Sequence, residues 1–198
     1  MSTMQTARTT EKGEFGYGFG GGVIRTDIAL GDVDTISLNA PFMEIGARYG
    51  ITDKLDLGAK LTLIGTATVD AKYQFLGDGE SKLAGSAGFG LGYLSISSES
   101  NGNTSESKIF DLMVPVYFSV HPADWFAVYA SPKYVFRINS YNSSNDVSGS
   151  STSSWYGVTT GIRLGKRVGF LAEYSYFGNS EISIPLSQIT GGIAIGIR

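Results

Sequence analysis

An alternation of period two runs through nearly the whole chain and limits it, more than any other feature, to folds built from strands. In the first run Phe15, Tyr17 and Phe19 share one face, and Gly16, Gly18, Gly20 and Gly22 share the other. Leu55, Leu57, Ala59, Leu61 and Leu63 likewise oppose Asp56, Gly58, Lys60 and Thr62, and Ala67, Val69, Ala71, Tyr73 and Phe75 oppose Thr68, Asp70, Lys72 and Gln74. Successive side chains of a strand point to opposite faces, so each strand has one apolar face and one small or charged face. The same reading predicts strands near 41–50, 81–97, 108–120, 125–138, 154–165, 168–177 and 188–198, about ten in all.

The 198 residues show no compositional break and read as one domain, residues 13–198, preceded by a polar tail over 1–12. Only 17% of residues are charged, while Gly reaches 27 and Tyr and Phe 11 each, a profile foreign to water-soluble globules. No run of about 18 apolar residues exists, so a bilayer could be crossed only by closed strands. Connections alternate in length. Short turns fall at Ile51–Asp53, Gly77–Gly79, His121–Asp124 and Lys166–Arg167, and long polar segments at Asp27–Asn39, Ser98–Ser107, Asn139–Ser153 and Gly178–Ser187. The tight connection at Gly65–Thr66 is the exception on the long-loop side. Short turns on one rim and long loops on the other suit a transmembrane barrel.

Alternation alone does not say which face is inside. A soluble ligand-binding barrel would turn its apolar face inward and leave Gly88, Gly90, Gly92, Gly157, Gly161, Gly192 and Gly196 on the water-facing side, where glycine weakens strands without adding solubility. Inside a barrel, glycine leaves room for long side chains from opposite strands. Phe15, Phe42, Tyr49, Phe75, Phe118, Phe126, Tyr156 and Tyr176 lie toward strand ends on the apolar face, where interfacial girdles are expected. The stretch RYGITDKLDLGAKLTL (Arg48–Leu63) resembles the strand–short turn–strand units of bacterial outer-membrane β-barrels, and the likeness extends over nearly the whole chain without a subfamily motif. Arg198 departs from the C-terminal aromatic of such proteins. The resemblance implies an all-β, closed antiparallel transmembrane barrel in the bacterial outer membrane, with lipid as its surroundings, short periplasmic turns and longer external loops. MSTMQTARTTEK (Met1–Lys12) lacks the apolar core of a signal peptide. It resembles the tether that follows the lipidated Cys of bacterial lipoproteins, with Met1 where that Cys would stand. Pro115 and Pro132, each without an N–H for the ladder, predict bulges in strands six and seven.

A net charge of −3 argues against a nucleic-acid partner, and the absence of Cys excludes disulfides and thiolate metal sites. His121 is the only histidine and sits in a short turn before Pro122, away from any lumenal Ser or carboxylate cluster this reading supplies. Outer-membrane proteases, phospholipases and acyltransferases generally pair a His with an acid or a nucleophile, so the resemblance argues against an enzyme. A His-free Ser–Lys or two-carboxylate enzyme is the catalysis left open. The external acids Asp27, Asp32, Asp34, Glu99, Glu106, Asp146 and Glu181 match no calcium-loop spacing and read as solvated loop charges, so no metal or cofactor is expected. GFGGG (Gly18–Gly22) is followed by no helix and is not a phosphate loop.

Parity sends Glu44, Asp56, Asp70, Asp111 and Glu173 into the lumen with Arg48, Lys60, Lys72, Lys133, Arg137 and Arg163. Ten strands imply a backbone radius of roughly 10 Å. Glycine-lined sectors favour a narrow aqueous passage, whereas charges paired across the lumen would plug it. Turns centred near Thr52 and Gly65 would set Arg48 opposite Asp56, and Lys60 opposite both Glu44 and Asp70. Two functions follow: a narrow passive pore for small polar solutes, or a non-conducting surface barrel whose external loops bind a partner.

Overall fold

The computed structural model describes residues 2–30, 34–100, 103–143, 147–179 and 185–197. Met1, Asp32, Asp146, Glu181 and Arg198 lie outside them. Ten strands follow in order: β1 (Phe15–Leu30), β2 (Asp34–Thr52), β3 (Leu55–Thr62), β4 (Ala67–Leu76), β5 (Leu83–Ser100), β6 (Asn103–Ala123), β7 (Phe126–Ser143), β8 (Val147–Leu164), β9 (Val168–Asn179) and β10 (Leu186–Ile195). Each pairs antiparallel with its sequence neighbours, and β1 pairs with β10 to close the barrel.

The faces divide as the alternation predicts. Phe15, Tyr17 and Phe19 are each more than half exposed on the outer wall, while Asp56, Lys72 and Gln74 are 0% exposed inside it. Apolar outside and polar inside is the arrangement of a membrane barrel and the inverse of a soluble one. Phe42 is the exception among the expected girdle aromatics: it shares the parity of Glu44 and Arg48, and it is buried in the lumen at 6% exposure.

In three of the four long polar segments expected as loops, the described residues are strand. β1 and β2 stay paired to Leu30↔Asp34, β5 and β6 to Ser100↔Asn103, and β7 and β8 to Ser143↔Val147. Polar residues do not end a strand there, since a backbone ladder holds in water as well as in lipid. Because β6 and β7 also pair out to Ser105↔Ser143, the β5–β8 extensions form one four-stranded sheet.

The register of the first hairpins differs from expectation by two residues. Arg48 faces Gly58 and Gly50 faces Asp56, with a bulge between Gly50 and Thr52. Across β3–β4, Lys60 faces Thr68 and Gly58 faces Asp70. The second shift comes from the turn: Thr62 N–H bonds the Thr66 carbonyl at 2.9 Å, and Gly65 at φ +91° ends a three-residue loop. A two-residue shift keeps every side chain on its face, so the polarity pattern could not detect it.

The prolines cause no bulge. Pairing passes from Ala87↔Val116 to Gly90↔Met113, and from Pro115↔Lys133 to Phe118↔Ala130, in unchanged register. Each missing N–H drops ladder bonds locally without demanding an extra residue. The register shifts lie instead at Gly50/Thr52, Gln74/Leu76 and Val120/Ala123, beside the short turns.

Candidate functional site

Residues 2–10, expected as a polar tail, run inside the lumen, and all but Arg8 are buried. The chain leaves β1 at the periplasmic rim, where Gly13 N–H bonds the Gly50 carbonyl at 2.8 Å and Lys12 bridges Gly50. From there it climbs backwards to Ser2 at the level of Glu44 and Lys60.

An extended segment with no strand beside it must satisfy its backbone groups in another way. Lumenal side chains do this. Glu173 accepts the N–H groups of Thr3 at 2.8 Å and Met4 at 2.5 Å, and also the Tyr129 hydroxyl at 2.8 Å. Asp56 accepts Thr10 N–H at 2.9 Å, Gln74 accepts Thr9 N–H at 3.0 Å, and Ser119 accepts Ala7 N–H at 3.2 Å. The Lys72 ammonium donates to the carbonyls of Thr6 at 3.3 Å and Arg8 at 2.8 Å, and to the Gln5 side chain at 2.9 Å. Lys60 donates to the Ser2 carbonyl at 3.1 Å, and the Ser86 hydroxyl donates to that of Ala7. Five N–H groups and four carbonyls of the segment thus end on lumenal side chains. Arg8 donates to the Ser81 carbonyl at 2.8 Å in the periplasmic turn after β4. In that turn Asp78 is held below the usual carboxylate range by hydrogen bonds from the Glu80 N–H and from the Ser81 hydroxyl and N–H.

Glycines give the segment its space. A Cβ on Gly50 would stand 2.0 Å from the Glu11 carbonyl oxygen, and one on Gly192 would stand 2.0 Å from the Met4 methyl. Met4 Cε also lies 3.0 Å from where a Gly20 Cβ would be. Of the glycines that suggested an aqueous passage, Gly20 and Gly192 are thus taken up by Met4, while Gly18, Gly90 and Gly92 line the space above the segment.

All eleven charged residues assigned to the lumen face it. Glu44, Asp56, Lys60, Lys72 and Glu173 touch the N-terminal segment. Arg48 braces this group: it donates to Asp56 at 2.6 Å and to Asp70 at 2.7 Å, and its guanidinium crosses the space left by Gly58. Lys60 bonds Glu44 at 3.1 Å, diagonally across the ladder, and Asp70 is taken by Arg48. A row of Glu44, Lys60 and Asp70 therefore does not form. Arg137 grips Asp111 through two bonds of 2.7 and 2.8 Å and lies 5.8 Å from the centre of the Trp155 ring. Arg163 sits low, donating to the Lys166 carbonyl at 3.2 Å.

Above the segment lies a cavity of about 340 Å³ whose floor is formed by Ser2, Thr3, Met4 and Gln5 and whose walls include Lys133 and Arg137. Phe42 and Phe177 face it as well, and parity would have found them had apolar doublets such as Phe42–Met43 and Tyr176–Phe177 been read as one residue out and one in. The N-terminal segment carried no such signal, since Ser, Thr and Gln suit water equally well. His121 also differs from expectation. Its Nε2 lies 2.9 Å from the Ser119 hydroxyl because both belong to the inward face of β6, two residues apart.

A family model described as the outer membrane protein beta-barrel domain matches residues 1–188. No curated protein sequence matches the chain. Among solved structures, the outer membrane protease OmpT from Escherichia coli aligns with a TM-score of 0.58 at 10% identity, over 91% of this chain and 96% of that one. Neisserial surface protein A aligns at 0.48 and 13% identity, over 92% and 96%. Ail of Yersinia pestis, in complex with the heparin analogue sucrose octasulfate, aligns at 0.45 and 10% identity, over 92% and 98%. At 10% identity the likeness to OmpT concerns the barrel and not its chemistry. The chain belongs to the outer membrane protein β-barrel domain family, and its place is the bacterial outer membrane.

Proposed function

We propose that this protein is a non-conducting surface barrel that presents its extended hairpins and an external cavity to partners outside the cell, and that it is neither a passive pore nor an enzyme. The observation that carries this reading is the bonding of residues 2–10 to the lumenal wall, nine backbone groups in all. Ions crossing the barrel would have to displace that segment and leave several buried polar groups unsatisfied, each at about 1–3 kcal/mol. Against catalysis stands the position of the Ser119–His121 pair. Ser119 already accepts Ala7 N–H, and the two residues are 1% and 6% exposed beneath the segment, out of a substrate's reach.

Single-channel recording in planar bilayers tests the proposal. The intact protein should be silent, and deletion of residues 2–10 should open reproducible steps. Reproducible steps from the intact, folded protein would restore the narrow pore.

A further inference from the structure

One sector of the external wall stops short. β3 ends at Thr62 and β4 begins at Ala67, while their neighbours β2 and β5 reach out to Asp34 and Ser100. β2 pairs with β3 only from Glu44, and β5 pairs with β4 only as far as Tyr93. Above the β3–β4 turn, no strand stands between β2 and β5 among the described residues. Two strands are missing from the wall there, so with neighbouring strands about 4.8 Å apart the notch is about 14 Å wide. Its sill is apolar, where an external turn would ordinarily be polar: Leu63 is 79% exposed and Ile64 54%. Outward positions on the neighbouring strands are apolar up to Met43, Tyr93 and Phe110, and polar above them at Asn39, Ser95 and Lys108. The sill stands level with that border, since Leu63 N–H bonds the Met43 carbonyl and Ala67 pairs with Tyr93.

The notch opens onto the cavity. Ile64 and Leu94 both line it, and Leu94 Cδ1 lies 3.8 Å from where a Gly65 Cβ would be. Leu38 and Ile96 have the inward parity of Phe42 and Leu94 on the two strands that flank the notch, and each is 51% exposed. Phe42, Trp155 and Phe177 line the same space farther in. Apolar residues thus lead from the outer wall over the sill into a volume of about 340 Å³, within the range of small-molecule sites. Contiguous apolar surface left exposed in this way marks a binding site. Lys60 is bound to Glu44, Arg137 to Asp111, and Arg48 to both Asp56 and Asp70.

We infer that the external cavity takes an uncharged, apolar small molecule from the outer leaflet, which enters sideways over the β3–β4 turn, past Ile64 and Leu94, to lie against Phe42, Trp155 and Phe177. A molecule dissolved in the leaflet meets the apolar sill directly, whereas one arriving from the external water must first pass the polar ends of the hairpins. This goes beyond the closed-barrel proposal, and channel steps from the intact protein would overturn that proposal and leave the lateral site standing.

The chain has two tryptophans, so Trp125→Phe leaves Trp155 as the only one, inside the site. In phosphatidylcholine nanodiscs, bromodecane should quench Trp155 saturably, and excess decane should reverse the quenching. Neither measurement requires a substitution at the site, so both hold even where a variant there fails to fold. The chain has no Cys, so Ile64→Cys places a single thiol on the sill. A polyethylene glycol maleimide coupled to it before reconstitution should slow the onset of quenching after rapid mixing about tenfold, relative to the same variant capped with a methylthio group. The same polymer on Ser150→Cys, at an exposed position of β8 away from the notch, should leave the onset unchanged. No saturable quenching, no reversal by decane, or the same response from a Trp155→Phe variant reporting through Trp125 would each overturn the site. Equal onset for the two Ile64→Cys forms, or equal slowing by the polymer on Ser150→Cys, would overturn the entry from the leaflet.

Discussion

Glu173 is the strongest single hold on the N-terminal segment, and replacing it with Gln isolates that hold at nearly constant shape. Its carboxylate, 3% exposed, receives Thr3 N–H, Met4 N–H and the Tyr129 hydroxyl at 2.5–2.8 Å. In Glu173→Gln one oxygen becomes an NH2 facing a donor, and the charge that strengthened the other bonds is gone. Hydrogen bonds to charged groups contribute about 1.5–3 kcal/mol each, so docking should weaken by roughly one such bond. An opposing effect exists, because stripping water from a carboxylate on docking costs several kcal/mol, which the amide largely avoids. Three donors, two of them backbone N–H groups, converge on this carboxylate, and we expect them to win. At 1.36 kcal/mol per factor of ten, the undocked population should rise about ten- to 150-fold.

The chain has no Cys, so a single Thr6→Cys, at a position 0% exposed, makes a clean reporter of undocking. When opening and closing are fast, its labelling by a water-soluble maleimide tracks the undocked population. The rate should rise by that factor in the Glu173→Gln background, with barrel unfolding by urea little changed. An unchanged or slower rate would show that desolvation outweighs the bonds and that Glu173 does not anchor the segment.

Gly58→Val should lower barrel stability by about 1–3 kcal/mol in urea unfolding, because even its Cβ would stand 2.4 Å from Arg48 Nη1 and 2.7 Å from Asp70 Oδ1. Gly191→Val, on the outer wall with no atom nearer than 3.9 Å, should be tolerated. A double-mutant cycle of Arg48→Met with Asp70→Asn should give a coupling of about 1–3 kcal/mol, and one of Lys60→Met with Asp70→Asn should be additive; the reverse would restore the register expected from simple turns. An epitope inserted between Ser143 and Val147 should be reached by antibody on intact cells, and one between Lys166 and Arg167 should not; the opposite labelling would invert the barrel.

What could be read from the sequence was parity, and what could not was register and filling. Leu57 and Leu61 against Asp56 and Lys60 assign the faces of β3 in any pairing, because lipid tolerates the first pair and the lumen the second. Moving Arg48 from Asp56 to Gly58 alters no face, so only turn geometry distinguishes the two, and it is set by the bulge at Gly50–Thr52, as Gly65 at φ +91° sets the shift of Lys60 from Asp70 to Thr68. The N-terminal segment was illegible for another reason. An extended run of Ser, Thr and Gln has no period to betray it, and its partners lie as far along the chain as Glu173. The glycines were the nearest thing to a signal, yet Gly20, Gly50 and Gly192 record only that something approaches the wall closely, water or chain alike. The lumenal acids carry the missing information. Glu173 has Tyr129 and two backbone N–H groups as donors, and Asp56 needs Thr10 N–H beside Arg48 and Lys72. Carboxylates that gather backbone donors inside a barrel bind a chain, and in this barrel the chain they bind is its own.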